Sequence, residues 1–150
     1  MIDSASGSVI VRRTASLMIP LVQLFALYVL FFGQYGPGGG FVAGVMIAAS
    51  LVFGLLVFGE SGSTGQRAAS LMAGDGVGLI LFVAVGGLCL IGGGEFLNYS
   101  QAPIPGLDSA ARRYLGILMT QVGVALDVAV AAVSITFSLS RGIAVGESDG

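Results

Sequence analysis

The sequence lacks several of the side chains on which catalytic and metal-binding sites most often depend. Its 150 residues include no histidine, no lysine and no tryptophan, and cysteine occurs once, at Cys89. The chain alone therefore cannot form a disulfide, a zinc site with the usual Cys and His ligands, or a Cys-His catalytic pair. We expect it to hold no catalytic residue, no metal and no cofactor, and not to be an enzyme on its own.

Charged residues are scarce as well. They make up 9% of the chain, whereas an average soluble protein carries roughly 25%. Hydrophobic residues make up 55% and the mean hydropathy is +0.98, so the chain cannot cover a water-facing surface and is expected to lie in a membrane. The six basic residues are all arginines and the net charge is -2, which leaves no basic patch for binding nucleic acid.

Four long segments with few or no charges account for most of the chain, and each has close to or more than the roughly 20 apolar residues that cross a bilayer as a helix. The helix breakers from Gln34 to Gly40 separate the first two segments. The predicted helices cover residues 14–33, 41–59, 74–97 and 114–140. We therefore expect an all-α integral membrane protein, a single domain over 1–150, with four transmembrane helices and a tight Pro-Gly-Gly-Gly turn between the first two.

The arginines near the helix ends indicate how the chain is oriented. With four crossings both termini lie on one side, which carries four arginines against two on the other, Arg112 and Arg113. Because positive residues favour the cytoplasmic side, we expect both termini in the cytoplasm.

The pair Arg12-Arg13 also resembles the start of a signal peptide. The apolar run after it has about 20 residues, beyond the 7–15 of such a peptide, so we expect the first helix to be retained.

Small residues follow helical spacing in the predicted helices. Helices in lipid associate through close packing of small residues, because lipid offers no hydrophobic driving force. We expect four glycines to serve helix packing: Gly86, Gly93, Gly116 and Gly123. In the fourth helix, spacings of three and four continue along one side. We call this side the small-residue face, and it consists of Gly116, Thr120, Gly123, Asp127, Ala131, Ser134 and Ser138.

Asp127 lies at the centre of the last predicted helix, with thirteen uncharged residues on each side. An aspartate at the centre of a membrane helix costs roughly 2.5–3.5 kcal/mol on insertion. No arginine lies near this depth, so either the carboxyl group carries a proton, or its counter-charge comes from another subunit, a bound ion or a water-filled passage. The functional interpretation is a residue that handles protons or cations. The alternative is a protonated aspartate in an interhelical hydrogen bond.

Two further polar residues are candidates for an ion path. Glu95 lies near the end of the third predicted helix, where a carboxylate can reach interfacial water. The alternative interpretation is that Glu95 is only solvated there and takes no part in an ion path. Gln121 precedes Asp127 by six residues, about 120° around the helix. Its side chain therefore points away from the small-residue face. The alternative to an ion-path role is that Gln121 only packs between helices.

The segment from Gly33 to Gly44, GQYGPGGGFVAG, resembles the signature of a known family. The B subunit of Mrp-type multisubunit Na+/H+ antiporters, the MnhB family, has a turn of the type G-H-x-x-P-G-G-G-F-x-G-G between its first two helices. The residues that match are Gly33, Pro37, Gly38, Gly39, Gly40, Phe41 and Gly44. Gln34 stands where histidine is usual. Gln121 stands where the family often has an acid, just before a Gly-Val pair of the last helix.

The resemblance implies an accessory membrane subunit of a cation/proton antiporter complex in the inner membrane of a prokaryotic cell. Such a subunit packs against larger membrane subunits within the lipid bilayer and helps to form an ion path, with Na+ and H+ as the candidate transported ions. The same module occurs in complexes related to respiratory complex I. One alternative is therefore a redox-driven ion-pumping complex similar to group 4 hydrogenases, and another is a purely structural membrane scaffold.

Overall fold

The computed structural model describes residues 9–59, 70 and 76–146. Within these ranges the chain forms four α-helices and a short 3-10 helix, Tyr99–Gln101, and contains no strand. The α-helices are α1 (Val9–Phe32), α2 (Gly40–Phe58), α3 (Val77–Ile91) and α4 (Ser109–Gly146). The expected all-α architecture, with a turn of glycines between the first two helices, is confirmed.

Three of the helices are long and apolar enough to cross a membrane, namely α1, α2 and the section Ser109–Leu139 of α4. α3 is equally apolar but has only 15 residues, about 22 Å at 1.5 Å per residue, against a hydrocarbon core of about 30 Å. Large apolar side chains point outward from these helices, as Leu56 (78% exposed) and Ile80 (70% exposed) illustrate. This outward apolar surface fits a protein that is surrounded by lipid or by other membrane subunits.

α3 ends at Ile91, six residues earlier than the sequence predicts, because a glycine cap terminates it. Gly93 has φ 81°, a left-handed conformation in which a helix cannot continue. Its N–H donates to the carbonyl of Leu90 (3.0 Å), and the N–H of Gly94 donates to that of Cys89 (3.1 Å). These two bonds form a Schellman motif. The first two residues of the predicted third helix, 74 and 75, lie outside the described residues.

α4 begins at Ser109, earlier than the predicted start at residue 114. Asp108 provides the cap, since its Oδ1 accepts the backbone N–H of Ala111 at 2.9 Å. The predicted loop therefore ends before Arg112 and Arg113, which lie in the first turns of α4.

α4 is the central helix and contacts all the others. α2 runs parallel to it, since Gly40 at the start of α2 lies against Gln121, and Leu51 further along packs with Val133. α3 runs antiparallel to it, since its first turn meets the middle of α4 and its last turns lie beside the beginning of α4. α1 packs antiparallel on α2. There Nε2 of Gln23 donates to Oγ of Ser50 (3.2 Å).

Candidate ion-path site on α4

The glycine turn, residues 33–39, reverses the chain between α1 and α2. The N–H of Tyr35 donates to the carbonyl of Phe32 at 3.0 Å, which closes the end of α1. Gly39 has φ 113°, a conformation that favours glycine. A Cβ on Gly33 would lie 2.6 Å from the Cα of Gly39 and from the carbonyl oxygen of Val29. The turn therefore needs glycine at both of its ends.

This turn lies directly against α4 at Gln121. A Cβ on Gly40 would lie 2.9 Å from the Cα of Gln121, and a Cβ on Gly39 would lie 3.9 Å from its Nε2. One helical turn further, a Cβ on Gly44 would lie 2.7 Å from the carbonyl oxygen of Ala125. The close approach of α2 to α4 thus depends on two glycines of the turn motif. It also places the motif beside the position at which the family often has an acid.

Gln34 is a residue of this turn that the sequence did not single out for chemistry. Its Nε2 is buried and has no hydrogen-bond partner within the described part of the chain. A buried donor without a partner costs about 1–3 kcal/mol. The only sequence signal for Gln34 is that it stands where the family usually has histidine.

Asp127 lies where α3 crosses α4. A Cβ on Gly123 would lie 2.7 Å from the carbonyl oxygen of Gly78, and a Cβ on Gly78 would lie 2.8 Å from Oδ1 of Asp127. The two glycines therefore allow backbone-to-backbone contact, and the half-buried carboxylate lies against the first turn of α3. The partial positive charge at this end of a helix favours a carboxylate there.

Asp127 also lies deep in the apolar part of the protein. Because Gly44 packs between Ala125 and Val128, Asp127 is level with the second turn of α2, about 7 Å short of the midpoint of that helix. Among the described residues, no hydrogen bond or ion pair reaches its carboxylate. Arg112, on the same helix, lies fifteen residues away, about 22 Å along the axis. The described residues thus leave Asp127 without a counter-charge.

The small-residue face divides at Asp127. On the side towards the start of α4 it is covered: Gly116 lies under the ring of Tyr99, and the hydroxyl of Tyr99 donates to Oγ1 of Thr120 at 3.2 Å. On the other side Ala131 and Ser138 are exposed and Ser134 is half-buried, because α3 starts level with Asp127. The half of the face beyond Asp127 is therefore largely open on the surface of this chain, and we call it the open half.

The other predicted residues lie apart from Asp127. Glu95 is exposed and follows the far end of α3, whose fourteen residues from Gly78 to Ile91 span about 20 Å. Gln121 is half-buried and about 9 Å from Asp127 along α4. The structure therefore places Gln121 at the glycine turn and Asp127 at the crossing of α3 and α4, and it leaves Glu95 outside both.

The four glycines expected to pack between helices have different surroundings. Gly123 meets α3 at Gly78, as expected of a helix contact. A Cβ on Gly86 would overlap the ring of Phe96, so this glycine packs against an aromatic side chain from the loop after α3 and not against a helix. Gly116 is covered by Tyr99 of the same loop. The expectation for Gly93 is corrected: it is the cap of α3, and a Cβ there would have no atom within 4 Å.

Comparison with known proteins identifies the family. Residues 10–134 match the family model described as a domain related to the MnhB subunit of Na+/H+ antiporters. The B subunit of the Na+/H+ antiporter of Bacillus subtilis is 28% identical over 135 residues, which cover 85% of this chain and 94% of the relative. That of Alkalihalophilus pseudofirmus is 29% identical over 133 residues, covering 82% and 90%. The resemblance seen in the glycine turn is thus confirmed, and the chain belongs to the family of domains related to the MnhB subunit of Na+/H+ antiporters.

Proposed function

We propose that this chain is an accessory, non-enzymatic membrane subunit of a multisubunit Na+/H+ antiporter. The similarity to two antiporter B subunits over most of both chains supports this assignment. These relatives favour an antiporter over a redox-driven complex or a pure scaffold. The arginine distribution further supports an inner-membrane subunit with both termini in the cytoplasm.

We assign the handling of protons or cations to Asp127. The observation that carries this is a half-buried carboxylate three residues from the midpoint of the apolar section Ser109–Leu139 of α4, with no partner among the described residues. Ionisable residues in such positions mark ion pathways more often than not. Glu95 is exposed and lies far from Asp127, so it does not contribute to this site.

The open half of the small-residue face is the surface on which a larger subunit packs. Ala131 is exposed one turn beyond Asp127 and Ser138 is exposed about three turns beyond it, and small residues are what membrane helices use for close approach. A helix of another subunit on this surface would enclose the carboxylate and supply either its counter-charge or the wall of a passage. About 120° around α4 from Asp127, the glycine turn holds the start of α2 against Gln121.

The test is Asp127→Asn in the assembled complex, with Asp108→Asn as the matched control. Asp108 is an acid at the start of α4 whose capping bond to Ala111 an asparagine can also make. In everted membrane vesicles, Na+-dependent dissipation of a pH gradient should fall strongly in Asp127→Asn and stay unchanged in Asp108→Asn. Co-purification of the other subunits should be normal for both. Normal transport by Asp127→Asn would refute the role of this residue, and loss of assembly would show that its role is structural.

A further inference from the structure

A cavity of about 150 Å³ lies between the end of α3, the chain segment 99–104 and the beginning of α4. Its lining is almost entirely apolar, with Val85, Ile104 and Leu115 among the residues that form it. Leu88 and Met119 line it and are also 49% and 41% exposed, so the cavity opens towards the outer apolar surface of the helices. An apolar cavity of this size accepts a hydrocarbon group rather than water.

The one charged side chain in the lining is Arg112. Its Nε is buried and has no hydrogen-bond partner among the described residues. The acid one turn before it on α4, Asp108, uses Oδ1 to cap the helix at Ala111, and the described part of the chain contains no ion pair to this guanidinium. A buried donor without a partner is unfavourable, and a guanidinium is suited to bind phosphate or carboxylate oxygens. The described residues thus offer no acceptor to this Nε, and an anionic oxygen from outside them would supply one.

Several features place this cavity at a membrane interface. Arg112 lies in the first turns of α4, beside the exposed Arg113 and Tyr114, and Tyr99 lies in the cavity wall. Arginine and tyrosine side chains are typical of the headgroup level, with apolar surface below them. A molecule that fits must carry an anionic oxygen group at this level and a hydrocarbon chain directly beneath it.

We propose that this cavity binds an anionic phospholipid, with its phosphate oxygens on the guanidinium of Arg112 and a section of acyl chain in the apolar cavity. Free phosphate is a poor occupant, because it would lose hydration against an apolar wall and gain only one cationic partner. A zwitterionic lipid offers the same chain, but its own ammonium group offsets the charge that Arg112 attracts. The site is separate from Asp127, and the proposal does not depend on the role given to that residue.

Native mass spectrometry of the full chain in detergent tests this proposal, with phosphatidylglycerol, phosphatidylcholine and inorganic phosphate as separate probes. We expect the wild type to bind one phosphatidylglycerol more tightly than phosphatidylcholine and to show no retained inorganic phosphate. Arg112→Gln should weaken phosphatidylglycerol binding about tenfold, the effect of one charge-assisted hydrogen-bonded contact. Arg113→Gln removes the same charge next to the cavity and should change the affinity less than threefold, roughly the effect of an exposed charge.

A second variant tests the cavity itself. Val85→Phe fills it without changing any charge, and it should weaken the binding of both lipids. Equal affinity of the wild type for the two lipids, equal effects of Arg112→Gln and Arg113→Gln, or undiminished binding by Val85→Phe would each overturn the proposal. Retention of inorganic phosphate by the protein would indicate an anion site that does not need a lipid, and it would also overturn the proposal. If Arg112→Gln does not fold, the wild-type comparison and Val85→Phe decide the matter.

Discussion

The contact between α2 and α4 at Gly44 allows a quantitative test of the packing. A Cβ at this position would lie 2.7 Å from the carbonyl oxygen of Ala125 and 2.9 Å from the Cβ of Val128, whereas ordinary contacts of such an atom begin at 3.4 Å. Gly44→Ala therefore requires the two helices to separate locally by about 0.7 Å. Neither neighbour can rotate away, because one is a helix carbonyl and the other a Cβ.

The cost of this separation follows from what lies beside Gly44. Leu30, Ala43 and Ala125 form a buried cluster at the same depth, and a gap of 0.5–1 Å forfeits about a quarter to a half of each dispersion contact. Adding one methyl group to a packed interior typically costs about 1–3 kcal/mol. We expect a loss in this range for Gly44→Ala, measured as the apparent free energy of unfolding in mixed micelles titrated with sodium dodecyl sulfate and followed by helix content.

Gly87→Ala is the matched control, because it makes the same chemical change within helix α3. A Cβ at Gly87 would have no atom within 4 Å, so only the backbone effect remains, and alanine should be neutral or stabilising by about 0.5–1 kcal/mol. The difference between the two variants isolates the close approach of α2 and α4. If Gly44→Ala proves as stable as Gly87→Ala, the backbone contact between these helices does not exist.

Two further substitutions test local features by the same titration. Gly93→Ala forces an alanine into the left-handed cap of α3 (φ 81°) and should cost about 1 kcal/mol. An unchanged midpoint would contradict the cap. Tyr99→Phe removes the hydroxyl that donates to Thr120 at 3.2 Å and should cost about 0.5–1.5 kcal/mol. Tyr35→Phe, at an exposed position of the glycine turn, should be neutral, and equal losses from the two tyrosine changes would argue against the Tyr99 contact.

The end of α1 and both ends of α2 could be predicted from the sequence because two strong local signals coincide there, whereas α1 begins at Val9, five residues before its predicted start at residue 14. An apolar run of sufficient length predicts a helix, and the breakers between Gln34 and Gly40 end one helix and begin the next. The start of α4 was predicted less well, since its first turn is polar and depends on a single capping bond from Asp108. The end of α3 was not predicted, because the glycines around Gly93 are as compatible with a tightly packed membrane helix as with a cap.

The arrangement of the site could not be predicted, because it depends on the register between helices that are distant in sequence. Spacing placed Asp127 and Gln121 correctly on different sides of α4, but it could not show that Gln121 meets Gly40 or that Asp127 meets Gly78. These contacts are fixed by where two pairs of helices approach through glycine. Gly86 shows the same limit: its helical spacing suggested a helix partner, whereas its partner is the ring of Phe96.

The division of the small-residue face explains why such a chain functions as part of a larger assembly. α3 covers α4 only as far as Asp127, so the carboxylate lies at the border between a covered and an open surface. Exposing an ionisable group to lipid at this depth is costly, and in the described residues no side chain compensates for it. A membrane protein that retains this arrangement gains stability when another helix covers the open half. On the proposal that Asp127 handles protons or cations, the same helix would also form the wall of its path, so that packing and ion handling would both follow from the short third helix.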